Sequence, residues 1–163
     1  MATKKVIAKK KETKDEALER RYKRYQEMTG YTDEELKTFR SFPQNVKAME
    51  DAPDMVKNDI VFEVLEARNC IAGYKPGDTF RVDPFGFLMV DQCPPKLCTG
   101  AIFALKPLVG YAWQALMDGS KVLFHRTIRC PDVGVEHEGT GEILLKAYIV
   151  PRGEKWDPKK HKK

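Results

Sequence analysis

Residues 97–117 carry the strongest apolar periodicity of the chain, with Ile102, Leu105, Val109, Trp113 and Leu116 recurring at three- and four-residue steps. That spacing gathers one face of a helix and suits no strand, so the segment is read as a helix that must pack on an apolar partner. Pro107 lies in its interior. It lacks an N–H and clashes with the carbonyl four residues back, at a cost of about 3 kcal/mol in a straight helix, so a kink or break is expected near residues 104–106. Asp118-Gly119-Ser120 ends the helix, with Gly119 suited to a left-handed cap. No stretch of the sequence approaches the roughly 18 consecutive apolar residues of a membrane span. Nor does an apolar signal-peptide core follow the basic start Met1-Ala2-Thr3-Lys4-Lys5. A soluble, cytoplasmic protein without a membrane segment is expected.

The partner for that helix is a set of strands on either side of it. Ile60-Val61-Phe62-Glu63-Val64-Leu65-Glu66-Ala67 is rich in β-branched and aromatic residues, and its polar positions Glu63 and Glu66 break strict alternation, which points to a bulge or end-twist. The turn-dense Gly73-Tyr74-Lys75-Pro76-Gly77-Asp78 leads into a short strand, Thr79-Phe80-Arg81-Val82-Asp83, with Asp78 read as a turn former. Phe85-Gly86-Phe87-Leu88-Met89-Val90 is expected to be a third strand, and residues 122–129 and 142–150 two more, with His125 as a cross-strand partner. Strands, then a helix, then strands predict an α+β fold: a mainly antiparallel sheet with one long kinked helix packed on it, preceded by a helical N-terminal arm.

Three zones follow: a charged helical arm over residues 1–57, a compact α+β cysteine-containing domain over 58–150, and a basic tail over 151–163 whose sticky residue is Trp156. In the arm, Leu18, Tyr22, Tyr25 and Met28 share one face of a helix over 14–28, and Thr32 with Glu35 forms a capping-box pattern starting a helix over 33–40. A third short helix is expected over 43–50, ended by Asp51-Ala52-Pro53-Asp54. The thin apolar stripe of the arm predicts a contact with a protein partner or a second copy of the chain. The formal charge of +5 is uneven: residues 1–25 hold ten Lys/Arg and four Asp/Glu, and residues 151–163 hold six and two. The central segment 26–150 is left with 13 basic and 18 acidic residues. Charge confined to the ends, without a motif, does not support nucleic-acid binding as the main function.

A chain of 163 residues buries enough core to need neither disulfides nor a metal for folding, so its four cysteines call for another role. All four lie at element ends, where sites are commonly built: Cys70 after the first strand, Cys93 and Cys98 around the start of the long helix, Cys130 after a later strand. Cys93-Pro94-Pro95-Lys96-Leu97-Cys98 has a gap tolerated in zinc sites, and a cysteine in the first helical turn is placed where the helix dipole favours thiolate. Cys70, Cys93, Cys98 and Cys130 are therefore the candidate metal ligands for zinc or an iron–sulfur cluster, with His137 able to replace one of them. Buried free thiols of no chemical role are one alternative, and disulfides another, less favoured in a cytosolic chain. For a cysteine-based enzyme the candidate catalytic residues are Cys130, Asp132 and His137, the last two as acid–base groups. No nucleophile elbow, dinucleotide fingerprint or zinc-protease helix motif occurs.

Residues 59–150 resemble a family of small, functionally uncharacterised prokaryotic proteins that show a strand ending in Cys, a Gly-x-x-x-Gly-Asp turn, a Cys-Pro segment opening a helix, and a late Cys-x-Asp. Here these are Cys70, the turn from Gly73 to Asp78, Cys93-Pro94 with Cys98, and Cys130-Pro131-Asp132. In that family the position of Tyr74 is often His. The resemblance implies a compact α+β cysteine-bearing domain found largely in anaerobes and archaea, and supplies no activity. The function expected is a small metal- or thiol-site protein, a subunit or accessory of a larger anaerobic enzyme system. A stand-alone cysteine enzyme and a structural oligomerisation module are the alternatives.

Overall fold

The computed structural model describes residues 12–162, and the basic start Met1-Ala2-Thr3-Lys4-Lys5 lies outside them. The chain divides into two compact units, Met1–Glu50 and Asp51–Lys163. In the first, α1 (Lys14–Thr29) and α2 (Asp33–Arg40) both begin with capping boxes. Glu35 N–H donates to Thr32 Oγ1 at 3.2 Å while the Glu35 carboxylate accepts from Thr32 N–H at 2.8 Å. Thr13 and Glu16 repeat the device at the head of α1. Tyr25, Tyr31 and Phe39 form an aromatic cluster with centroids 5.1–6.0 Å apart, and the Arg40 guanidinium lies 4.3 Å over the Tyr22 ring. Of the stripe read from the sequence, Tyr22 is buried but Met28 is exposed. Helix α3 (Pro43–Met55) runs past Pro53, where a break was expected. Pro53 removes one N–H but keeps a helical φ, and Val56 N–H still reaches the Ala52 carbonyl at 2.9 Å.

The second unit confirms the α+β reading. Strands β1 (Asn58–Arg68), β2 (Thr79–Val82), β3 (Thr127–Arg129) and β4 (Glu142–Pro151) form an antiparallel sheet in the order β2-β1-β4-β3. A register shift between Val64 and Glu66 supplies the expected bulge: Ile60, Phe62 and Val64 face the core before it, and Ala67 after it. Glu63 and Glu66 are thereby both kept off the core face, which is why the polar positions look out of phase. Against the core face packs α4 (Thr99–Met117), through Ala101, Ala104, Leu105, Leu108, Val109 and Ala112. Burying a side chain the size of fully enclosed Phe62 contributes roughly 1.5–3 kcal/mol.

Three sequence expectations change. Of the kink or break expected near residues 104–106, the break does not occur: α4 runs on through Pro107, which lies on its exposed side together with Phe103, whose carbonyl loses its intrahelical donor. Ile102 also falls on that side rather than in the buried stripe. The third strand does not form: Asp83 Oδ1 accepts from both Phe85 N–H and Phe87 N–H at 2.9 Å, and Gly86 turns at φ +89°, leaving one isolated bridge between Val82 and Leu88. A side-chain-closed turn has outcompeted the strand ladder. The strand expected over 122–129 shrinks to β3: Val122 and Phe124 are 79% and 93% exposed, and the Phe124 ring stands edge-on to its neighbour His125, centroids 4.7 Å apart, rather than on the sheet.

The basic tail is docked through its Trp156. Residues 152–162 cross the outer face of the sheet, where Trp156 joins Val61, Tyr148 and Val150. Arg152 N–H donates to Lys57 O at 2.7 Å, Arg81 Nη1 to Glu154 O at 2.7 Å, and Lys162 Nζ lies 2.8 Å from Glu63 Oε1. A short helix, α5 (Pro158–His161), stacks His161 on the Trp156 ring. Under this strap sits the ion pair of Asp59 and Arg81, which is almost wholly buried. Beside it burial and the neighbouring Glu63 push the Tyr148 hydroxyl up to about 12. Among the described residues no helix is long and apolar enough to cross a membrane.

Candidate functional site: a cleft lined by cysteines

Sheet register brings sequence-distant cysteines together. Arg68 pairs with Glu142 and Arg129 with Leu144, so β1 ends, β3 ends and β4 begins at the same edge of the sheet. Cys70 and Cys130 follow the two strand ends. Cys130 is tied to β4 twice: its N–H donates to Ile143 O at 3.0 Å, and Ile143 N–H donates to its Sγ at 3.3 Å. Cys70 opens a tight turn closed by Gly73 N–H at 2.9 Å. Cys98 arrives from the other layer as the N-cap of α4. Cys70, Cys98 and Cys130 thus line one cleft of about 300 Å³, together with Tyr74, Gly100, Ala101, Pro131, Asp132 and Ile143. Gly100 lies against the cleft wall: an added Cβ there would stand 3.6 Å from the Pro131 ring and 3.8 Å from Cys98 Sγ, in ordinary contact with both.

Cys93 is seated differently. It is not among the lining residues of the cleft, and its thiol donates to the Met89 carbonyl at 3.1 Å. Burial pushes this thiol up, with the contact to the Arg81 carbonyl acting the other way. Among the described residues, no three His, Cys, Asp or Glu side chains are grouped to hold a metal ion. The donor chemistry of four cysteines suits zinc or an iron–sulfur cluster, but the arrangement does not fit one: three thiols share the cleft and the fourth is turned to backbone. All four are free thiols, each half-buried.

Of the acid–base candidates, Asp132 lines the cleft and His137 does not. His137 lies exposed in the 3-10 turn Val135–His137. The Asp132 carboxylate is committed to its own loop: Oδ1 accepts from Gly134 N–H and Thr140 N–H at 3.0 Å, and Oδ2 from the Thr140 hydroxyl at 2.7 Å. The Thr140 hydroxyl and the loop N–H groups hold it at about 2, below the ordinary 3.8. A carboxylate so stabilised is a poor proton acceptor near neutrality. Its consequence is for stability: with the folded value depressed, the contribution is complete above the unfolded value near 3.8 and is lost as pH falls towards about 2. The Gly134 and Thr140 amides should therefore lose exchange protection across that window, and Asp132→Asn should abolish the pH dependence. An unchanged profile in the variant would refute the assignment.

The sequence marked Tyr74 only as a position where the resembling family often has His and assigned it no role; its hydroxyl donates to Lys96 O at 2.9 Å and accepts from Cys98 N–H at 2.8 Å. Its position between two turn glycines was the available signal. The chain matches no protein-family model, no curated protein and no solved structure.

Proposed function

We propose that this chain is a small cytoplasmic thiol-site protein whose working surface is the cleft of Cys70, Cys98 and Cys130, and that it serves as a subunit or accessory of a larger anaerobic enzyme system. The N-terminal helices are the proposed contact for a protein partner or a second copy, and kinship with the prokaryotic cysteine family belongs to the same reading. The observation that carries it is the convergence of three thiols from two strand ends and a helix cap on one cleft. Half-buried thiols at element ends can meet a thiophilic group without unfolding, whereas inert core cysteines are enclosed. The thiol form is preferred to the metal form because Cys93 is turned to the Met89 carbonyl.

Anaerobic purification with metal analysis, followed by alkylation of the native protein, tests this. Cys70, Cys98 and Cys130 should label under native conditions while Cys93 lags, and zinc or iron should fall well short of one per chain. Stoichiometric metal released by Cys98→Ser would replace the thiol form with the metal form. Equal, slow labelling of all four cysteines in protein that carries no metal would remove both.

A further inference from the structure

The head of α4 is held by one buried hydroxyl. Tyr74 is 5% exposed, and its ring stands edge-on to Phe80, centroids 5.2 Å apart at 84°. Phe80 is fully buried in β2, and Tyr74 belongs to the same buried core cluster, so the core as a whole, and not the Phe80 contact by itself, fixes where the phenol oxygen points. That oxygen bonds on both sides of Leu97, giving its proton to Lys96 O and receiving Cys98 N–H. Cys98 caps α4 without any capping bond from its own side chain, so the phenol supplies an anchor that the cap itself does not. The same tyrosine lines the cleft with Cys70, Cys98 and Cys130.

We propose that Tyr74 is the positioning residue of the thiol cleft, seating Cys98 so that its thiol acts jointly with that of Cys70 or Cys130. This rests on the thiol-site reading above. The role needs a protonated phenol, because a phenolate cannot donate to Lys96 O. Burial keeps the proton in place by raising the phenol, and the nearby Cys98, Cys70 and Cys93 act in the same direction, against the bond from Cys98 N–H.

The test compares a reagent that needs two placed thiols with one that needs a single accessible thiol. Phenylarsine oxide joins two thiols to one arsenic, its oxygen leaving with both thiol protons as water, whereas iodoacetamide alkylates one sulfur. The wild-type full chain should capture phenylarsine oxide. In Tyr74→Phe capture should weaken about tenfold, the scale of one lost hydrogen bond, while iodoacetamide labelling of Cys98 does not fall. The Cys98 amide resonance should lose exchange protection in the same variant while that of Ile102, bonded to Cys98 O, keeps it. Phe80→Leu is the second variant: it loosens the ring's packing but retains the hydroxyl, and should keep most of the capture. Capture by Tyr74→Phe equal to wild type overturns the role of Tyr74 and leaves the thiol cleft standing. Equal losses in both variants would mean general softening, and overturn it too. Wild-type protein that labels but never captures phenylarsine oxide overturns joint action, and Tyr74's role with it.

Discussion

Arg81→Met should destabilise the second unit by about 3–5 kcal/mol, the range found when one partner of a buried ion pair is removed. Arg81 Nε and Nη2 both donate to Asp59 Oδ2, at 3.0 and 2.7 Å, and the pair sits across two neighbouring strands on the strap-covered face. Little else serves Asp59: Gly153 N–H reaches Oδ2 at 3.3 Å, and Oδ1 is buried with no protein partner. Removing the guanidinium leaves a carboxylate enclosed and uncompensated, and frees the Glu154 carbonyl that Arg81 Nη1 holds. The strap should loosen with it. Both tryptophans lie in this unit, Trp113 in α4 and Trp156 in the strap, so denaturant unfolding followed by fluorescence reports the loss directly. Asp59→Leu combined with Arg81→Met removes the stranded charge and should recover most of the stability, since apolar replacement of a buried pair is often neutral or favourable. A single variant within about 1 kcal/mol of wild type, the scale of an exposed pair, would show that Asp59 is not in fact shielded.

The elements that the sequence made legible are those decided by local chemistry. Thr32 and Glu35 announce the head of α2, and the misfit of Glu63 and Glu66 announces the bulge of β1. Apolar spacing places α4, although Ile102 ends on its exposed side because the small residues Ala101, Ala104 and Ala112 take the close approach to the sheet. Illegible were the outcomes of competition between distant parts. Asp83 closes a turn on Phe85 and Phe87 that alternation alone reads as a strand. The basic tail docks because β1, β2 and β4 align Asp59, Arg81, Glu63 and Tyr148 on one face, which register decides and composition does not. The cysteines were flagged by their positions at element ends, yet register and the Tyr74 bridge decide which of them meet. Cys93, grouped with Cys98 by spacing, is turned away by the turn that precedes it.

Gly141→Ala should disrupt the cleft from the opposite side, by backbone rather than by chemistry. Gly141 is buried immediately before β4, and a Cβ added there would overlap the carbonyl of Asn69 and lie 2.5 Å from the Arg68 oxygen. Both obstacles are main chain at the end of β1, so no rotamer change relieves them. The start of β4 must move away from β1, giving up the pairing of Arg68 with Glu142. Overpacking of a tight interior typically costs about 1–3 kcal/mol, and relief through backbone places this site at the upper end. The displacement falls between Cys70, which follows Asn69, and Ile143, which holds Cys130 by two hydrogen bonds. Capture of phenylarsine oxide should therefore drop sharply although no thiol and no phenol has been altered, while Cys93, seated on the Met89 carbonyl, should stay slow to label. If Gly141→Ala unfolds and labels as wild type does, the contact between the two strand ends is not what brings Cys70 and Cys130 to one cleft.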